Sequence, residues 1–276
     1  MLSGGTDSTY AAIQALKLSK KITLVTFTRT GLRRKENVIE VSEKFIELFK
    51  DHDISHTFID FQDIYQRMTP HEEKKFVQQN VLDQKIGPMW EDPFGLKEGP
   101  EAYYSKLRTM FMANECLQCK IAMHLSALEF CVKNGIDGIC DGSNTEQLDD
   151  GSQLDDVKEI NSNIFHRYGI SFISPAYHVS REERNRTLYE SGITEYKNYK
   201  ELEKTHQIST RQIQCTVPSA VLWTTCIFPW MVYDGRSCED YMEMCVRYFS
   251  YEMERGIKLI DVLNHEHRNH SDTFYN

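Results

Sequence analysis

The chain has 276 residues, with 32 basic against 41 acidic side chains and a net charge of −9. Hydrophobic residues make up 40% and charged residues 26%, which excludes disordered, collagen-like and disulfide-miniprotein classes. There is no run of 18 apolar residues to cross a membrane. The opening residues lack the basic and apolar regions of a signal peptide, so the expected compartment is the cytoplasm, where the eight cysteines stay reduced. The acidic balance argues against a broad nucleic-acid surface.

Taken in chain order, apolar spacing predicts a helix over 8–17 and a buried strand over 22–27 (ITLVTF). A helix over 36–50 follows, with Val38, Val41, Phe45 and Leu48 three to four apart, then a strand over 56–61. A helix over 118–133 presents Ile121, Leu125, Leu128 and Val132 on one face. Short strands over 138–141 and 171–177 come next, then a helix over 180–191 opened by Ser180 and Glu183 as a capping box. Repeated strand–helix units imply a parallel sheet covered by helices, that is, a doubly wound α/β fold.

Two regions interrupt this alternation. Residues 62–115 read as an insertion, with a helix begun by Thr69, Pro70 and Glu72 and an irregular, lid-like stretch over 88–99. Residues 194–276 read as an α-rich extension, with a helix over 237–255 whose stripe is Met242, Cys245, Phe249 and Met253. The expected domains are therefore 1–193 and 194–276.

The most informative segment is Ser3-Gly4-Gly5-Thr6-Asp7-Ser8-Thr9. Its chemistry is that of a phosphate cradle. Two glycines let the backbone approach an anion and turn N–H groups toward it. Ser3, Ser8 and Thr9 add hydroxyls, and the following helix presents its positive end. Asp7 is an anion itself, so it suits holding Mg²⁺ or ordering the loop. Only Met1 and Leu2 precede the loop, too few for the strand that should support it. The expectation is a truncated first strand between 22–27 and 138–141, and a fuller chain with apolar residues ahead of Met1.

This segment resembles the signature of the PP-loop superfamily, the N-type ATP pyrophosphatases, nearest its sulfur-transferring and 7-cyano-7-deazaguanine synthase-like branches. The resemblance implies a Rossmann-like, HUP-type sheet that binds ATP with Mg²⁺, cleaves it between the α and β phosphates, and adenylates an acceptor oxygen. It also implies that Thr26, Phe27 and Thr28 hold adenine, and that Asp141-Gly142-Ser143-Asn144 is the turn at the ribose. Ser174-Pro175-Ala176 with its charged helix resembles the family's late strand–helix unit.

Cys116-Leu117-Gln118-Cys119 is a lone C-x-x-C, open to zinc, redox and structural readings. Several sulfur-transferring relatives carry such a pair at this position and a third cysteine further on. The resemblance thus implies a functional trio of Cys116, Cys119 and Cys215, either as ligands of a [4Fe–4S] cluster or as a persulfide relay through Cys119 and Cys215. The zinc alternative needs a fourth ligand, for which Cys226 is the candidate. Cys131, Cys140, Cys238 and Cys245 read as core.

Arg29, Arg33, Arg34 and Lys35 read as a solvated loop or a phosphate contact. Asp149, Asp150, Asp155 and Asp156 read as a solvated acidic loop, with Mg²⁺ binding the alternative, and His265, His267 and His270 as a disordered polar tail, with metal binding the alternative. Trp223, Phe228, Trp230 and Tyr233 read as core or as a pocket wall. The resulting expectation is an adenylating sulfurtransferase with Asp7, Cys119 and Cys215 at its chemistry. Its acceptor is a small molecule in preference to tRNA, with a sulfur-donor protein and a homodimer as further partners. The alternatives are an ammonia-using amide- or nitrile-forming ligase with structural or zinc-bound cysteines, and a nucleotide-sensing module.

Overall fold

The computed structural model describes residues 1–30, 32–33, 35–68, 115–147, 153–197, 214–215 and 237–271. The helix begun by Thr69, the 88–99 stretch, Arg34, Asp149, Asp150, Cys226 and the aromatic cluster from Trp223 to Tyr233 lie outside the described residues. In chain order the elements are α1 (Thr6–Leu16), β1 (Lys21–Thr28), β2 (Leu32–Arg33), α2 (Lys35–Leu48), β3 (Asp53–Asp60), α3 (Gln62–Met68) and α4 (Glu115–Asn134). Then follow β4 (Gly138–Cys140), a 3₁₀ turn (Thr145–Gln147), α5 (Asp155–Arg167), β5 (Ser171–Ile173), α6 (Arg181–Glu190), β6 (Gln214–Cys215) and α7 (Cys238–Ser271). The protein is of mixed α/β class with parallel strand pairs.

The chain divides into two compact units. The first comprises Met1–Gln62, Asn134–Asp149 and Asn161–Val217. Here β1 pairs with β3 in parallel from Lys21↔Asp53 to Thr28↔Asp60, and β4 with β5 from Gly138↔Ser171 to Cys140↔Ile173. Met1 and Leu2 join the two pairs. Leu2 N–H donates to the Val25 carbonyl at 2.7 Å, and the Met1 ammonium donates to the Cys140 carbonyl at 2.6 Å. The two residues thus lie between the carbonyls of Val25 in β1 and Cys140 in β4.

Burial explains why β1 holds its position. Leu24 faces a core shared with Leu2, Ile13, Val38, Phe45 and Leu188 from α1, α2 and α6. Successive side chains alternate across a strand, so Val25 and Phe27 point the other way, yet they are buried too. A strand buried on both faces is rich in apolar residues, as 22–27 is with four of six and with Thr26 hydrogen-bonded in the interior. Each such side chain contributes ~1.5–3 kcal/mol when fully buried. In β3 exposed and half-buried residues alternate over 53–56, and Phe58, itself exposed, meets the His56 ring on the same face as Ile54.

The second unit comprises Asp63–Lys133, Asp150–Ile160 and Pro218–Asn276. Leu117, Ile121, Leu125 and Leu128 of α4 are buried, as are Cys245, Phe249 and Met253 of α7. Gly256 lets these helices close: a Cβ there would stand 2.1 Å from Leu125 Cδ1. Buried Gln118 accepts a hydrogen bond from Tyr248 Oη at 2.5 Å. Cys131 is buried in α4, and that burial pushes its thiol up to about 11.

Three elements differ from the sequence reading. Asp155 and Asp156 open α5 instead of a solvated loop, because carboxylates in a first turn favour the positive helix end. β5 stops at Ile173, where Pro175 follows and Tyr177 N–H turns back to the Ser174 carbonyl. α7 runs on to Ser271, so His265, His267 and His270 lie on a helix.

Candidate anion site at the start of α1

The loop leaving Leu2 has the geometry its glycines permit. Gly4 sits at φ +81°, a left-handed backbone that L side chains rarely adopt. Gly5 is the N-cap of α1, in extended conformation, and makes no side-chain capping bond. The N–H groups of Thr6, Asp7 and Ser8 fall in the first turn, where no preceding helical carbonyl exists to accept them. They add to the positive end of an 11-residue helix.

The hydroxyls serve the loop. Ser8 Oγ donates to the Gly5 carbonyl at 3.1 Å and accepts from Ser3 N–H at 3.1 Å. With its proton committed there, Ser8 Oγ accepts from Ser3 Oγ at 3.0 Å. Thr9 Oγ1 donates to Gly5 O at 2.8 Å. The sequence reading counts these hydroxyls as donors to phosphate; in the structure their protons shape the loop, leaving backbone N–H groups as donors to an anion.

Gly142, after β4, packs against the same turn. A Cβ there would stand 2.6 Å from Ser8 N and 2.8 Å from Ser8 Cα, so no other residue fits without backbone movement. Asp141, beside it, is buried and accepts from Ser143 N–H at 3.2 Å and from Ser143 Oγ. The end of β1 and the turn after β4 lie at the carboxyl ends of parallel strands, and Gly142 sets the second of these against the loop.

Side chains close a circuit around Asp7. Its Oδ1 is 2.7 Å from Arg184 Nε, and its Oδ2 accepts from Asn144 Nδ2 at 3.0 Å. Asn144 Oδ1 accepts from Glu146 N–H at 3.0 Å, and Glu146 Oε2 accepts from Arg184 Nη2 at 2.9 Å. Arg181 adds its own N–H and Nε to Glu146, at 3.1 and 3.0 Å. Arg184 is only 2% exposed and also donates through Nη1 to the Val179 carbonyl. It enters from α6, whose Ser180 cap accepts from Glu183 N–H at 3.2 Å.

The two carboxylates respond in opposite directions. Burial raises the Asp7 pKa, outweighing the lowering by Arg184 and Arg181, and the Glu146 charge adds to the rise. For Glu146, burial pulls upward, but the Arg181 N–H bond and the two guanidinium groups hold it below the ordinary range.

The remaining expected residues fall as follows. Thr26 is buried; its Oγ1 lies 2.9 Å from both the Leu2 carbonyl and His56 Nε2, so it braces the stub. Phe27 meets Phe61 edge-on with ring centroids 6.2 Å apart, and the Thr28 carbonyl accepts from Phe61 N–H at 3.0 Å. Cys215 pairs through its backbone with Leu32, four residues beyond the end of β1, an antiparallel contact the sequence reading missed. Cys116 and Cys119 lie at the start of α4, with Cys119 half-buried. The side chains of Cys116 and Cys215 lie outside the described residues. Among the described residues no group of three or more His, Cys, Asp or Glu is arranged to hold a metal.

Glu146, Arg181 and Arg184 are the members of the site that sequence reasoning missed. Arg184 stands in Arg-Glu-Glu-Arg-Asn-Arg, a charged helix in which no one arginine is singled out by its neighbours. The one available signal was the capping box, which fixes which residues fall in that helix's first turn. No family model, curated protein or solved structure matched the chain.

Proposed function

We propose that this chain is an ATP-dependent adenylating enzyme of the PP-loop kind that activates an acceptor oxygen for sulfur transfer. The observation that carries this reading is the left-handed Gly4 leading into first-turn N–H groups that Gly142 holds in place from the neighbouring turn. In the same reading, β3, β1, the Met1–Leu2 stub, β4 and β5 form one Rossmann-like parallel sheet, supported by the two hydrogen bonds at 2.7 and 2.6 Å that join the pairs.

The chemistry follows from the groups on the page. The β and γ phosphates of ATP rest on the N–H groups of the Gly4–Ser8 loop. An acceptor oxygen attacks the α phosphorus, the α–β P–O bond breaks, and pyrophosphate leaves against the positive end of α1. Mg²⁺ brought with ATP supplies further charge neutralisation. Sulfide-level sulfur from a donor then attacks the activated carbon; a C–S bond forms as the C–O bond breaks, and AMP departs with that oxygen. The pairing of Cys215 with Leu32 supports a role for this cysteine, because it sets its backbone next to the segment that follows the carboxyl end of β1. The test is the product pattern with ATP and a protein-free metabolite extract. AMP and pyrophosphate in equal amounts, with acceptor conversion lost in Cys215→Ala, is the expected result. ADP and phosphate as products overturn adenylation, and a fully active Cys215→Ala overturns sulfur transfer in favour of a ligase.

A further inference from the structure

Asp7 presents a physical problem for an anion site. Its carboxylate belongs to the same helical turn whose N–H groups face the ligand, and like charges at such a distance oppose binding. The circuit described above removes that opposition. Each Asp7 oxygen has a protein partner, the Arg184 guanidinium in an ion pair at Oδ1 and the Asn144 amide donating to Oδ2. The four charged groups, Asp7, Glu146, Arg181 and Arg184, sum to zero. The circuit also returns on itself, so α1, the turn after β4, the 3₁₀ turn and α6 are tied at one point.

We propose that Arg184 is a positioning residue for the cradle. It neutralises Asp7 and fixes the first turn of α1, so that a diphosphate group meets N–H dipoles instead of a carboxylate. This rests on the adenylating reading only in taking the cradle as the diphosphate site. A lysine cannot do the same work: it is a point charge, whereas the guanidinium fork reaches Asp7 and Glu146 with separate nitrogens. The burial of Arg184 makes the arrangement a fixed part of the site, because a charge 2% exposed persists only when its partners are in place. Asp7 then acts by ordering the loop, with both its oxygens engaged.

The test is a four-member cycle of the full chain: the unaltered protein, Arg184→Met, Asp7→Asn and both together. Each is titrated with inorganic pyrophosphate by calorimetry, with a thermal melt on the same sample. Arg184→Met is expected to weaken binding by on the order of tenfold or more. Asp7→Asn in the Arg184→Met background is expected to recover most of that loss, because the repelling charge goes. The Arg184→Met defect is also expected to shrink in 1 M salt, which screens charge but does not repair packing. Arg184→Lys is expected to fall between, and with Asp7→Asn it carries the same comparison where Arg184→Met does not fold. Equal affinity in Arg184→Met, or no recovery in the double variant, overturns the proposal while pyrophosphate binding by the unaltered chain leaves the cradle standing. No pyrophosphate binding by the unaltered chain overturns both.

Discussion

Gly142→Ala puts the site's geometry under direct strain. The new Cβ would stand 2.6 Å from Ser8 N, where ordinary contact starts at 3.4 Å, so the two turns must part by 3.4 − 2.6 = 0.8 Å. Both sides of the contact are backbone, and no rotamer relieves it. Overpacking of this kind costs ~1–3 kcal/mol, out of a total stability of ~5–15 kcal/mol. At ~2–4 °C per kcal/mol for a chain of this size, Tm falls by roughly 2–12 °C. Function should suffer more than stability, since a ~1 Å misplacement at a reacting group costs on the order of a hundredfold in rate. Gly138→Ala is the matched control, because its Cβ would meet nothing closer than the Ser171 carbonyl at 3.9 Å. Calorimetric titration with ATP and a thermal melt on each variant make the measurement. Gly142→Ala with the ATP affinity and Tm of the unaltered chain would refute the close approach of the two turns.

Four other perturbations follow from the same geometry. Gly4→Ala forces a side chain to φ +81°, at ~1–2 kcal/mol, and should weaken pyrophosphate binding; unchanged affinity would show that the left-handed backbone is not required. Ser180→Ala removes the cap on Glu183 N–H and should lower stability by ~1 kcal/mol in urea titration, where no change would contradict the cap. Glu146, with its pKa held down, stabilises the fold above its unfolded value and loses that contribution as pH falls through the lowered one. Asp7 has the opposite sign: its raised pKa gives stability below the unfolded value that is lost as pH rises through the folded one. Glu146→Gln should therefore flatten the loss of stability on acidification from about pH 5 to pH 3, and identical slopes with and without the substitution would argue against it. Tyr248→Phe in the second unit takes the hydroxyl from Gln118 Oε1 and should cost ~1–3 kcal/mol by urea titration, a neutral result ruling out that bond.

What the sequence made legible is what periodicity and turn chemistry encode. The run ITLVTF announced a buried strand, and Ser180 with Glu183 announced the start of α6. The Ser-Gly-Gly loop announced a turn into a helix start, and Gly4 and α1 take that form. α5 stayed hidden because its acidic opening mimics a solvated loop, although Val157, Ile164 and Phe165 are buried. β2 and β6 are two residues each, too short for any period to show. Arg184 was illegible for a different reason. Its partners lie 177 and 38 positions away in sequence, as 184 − 7 and 184 − 146, and only folding brings them together.

The central claim is that backbone N–H groups at the start of α1 receive the diphosphate of ATP. Amide NMR on isotope-labelled chain, titrated with inorganic pyrophosphate, tests it most directly. The account predicts that the largest saturable shifts fall on Gly4, Gly5, Thr6, Asp7 and Ser8, with Gly142 following, and that ATP produces the same set with additions near Thr26–Thr28. Saturable shifts centred elsewhere, or a Gly4–Ser8 segment that does not respond to pyrophosphate, would contradict it.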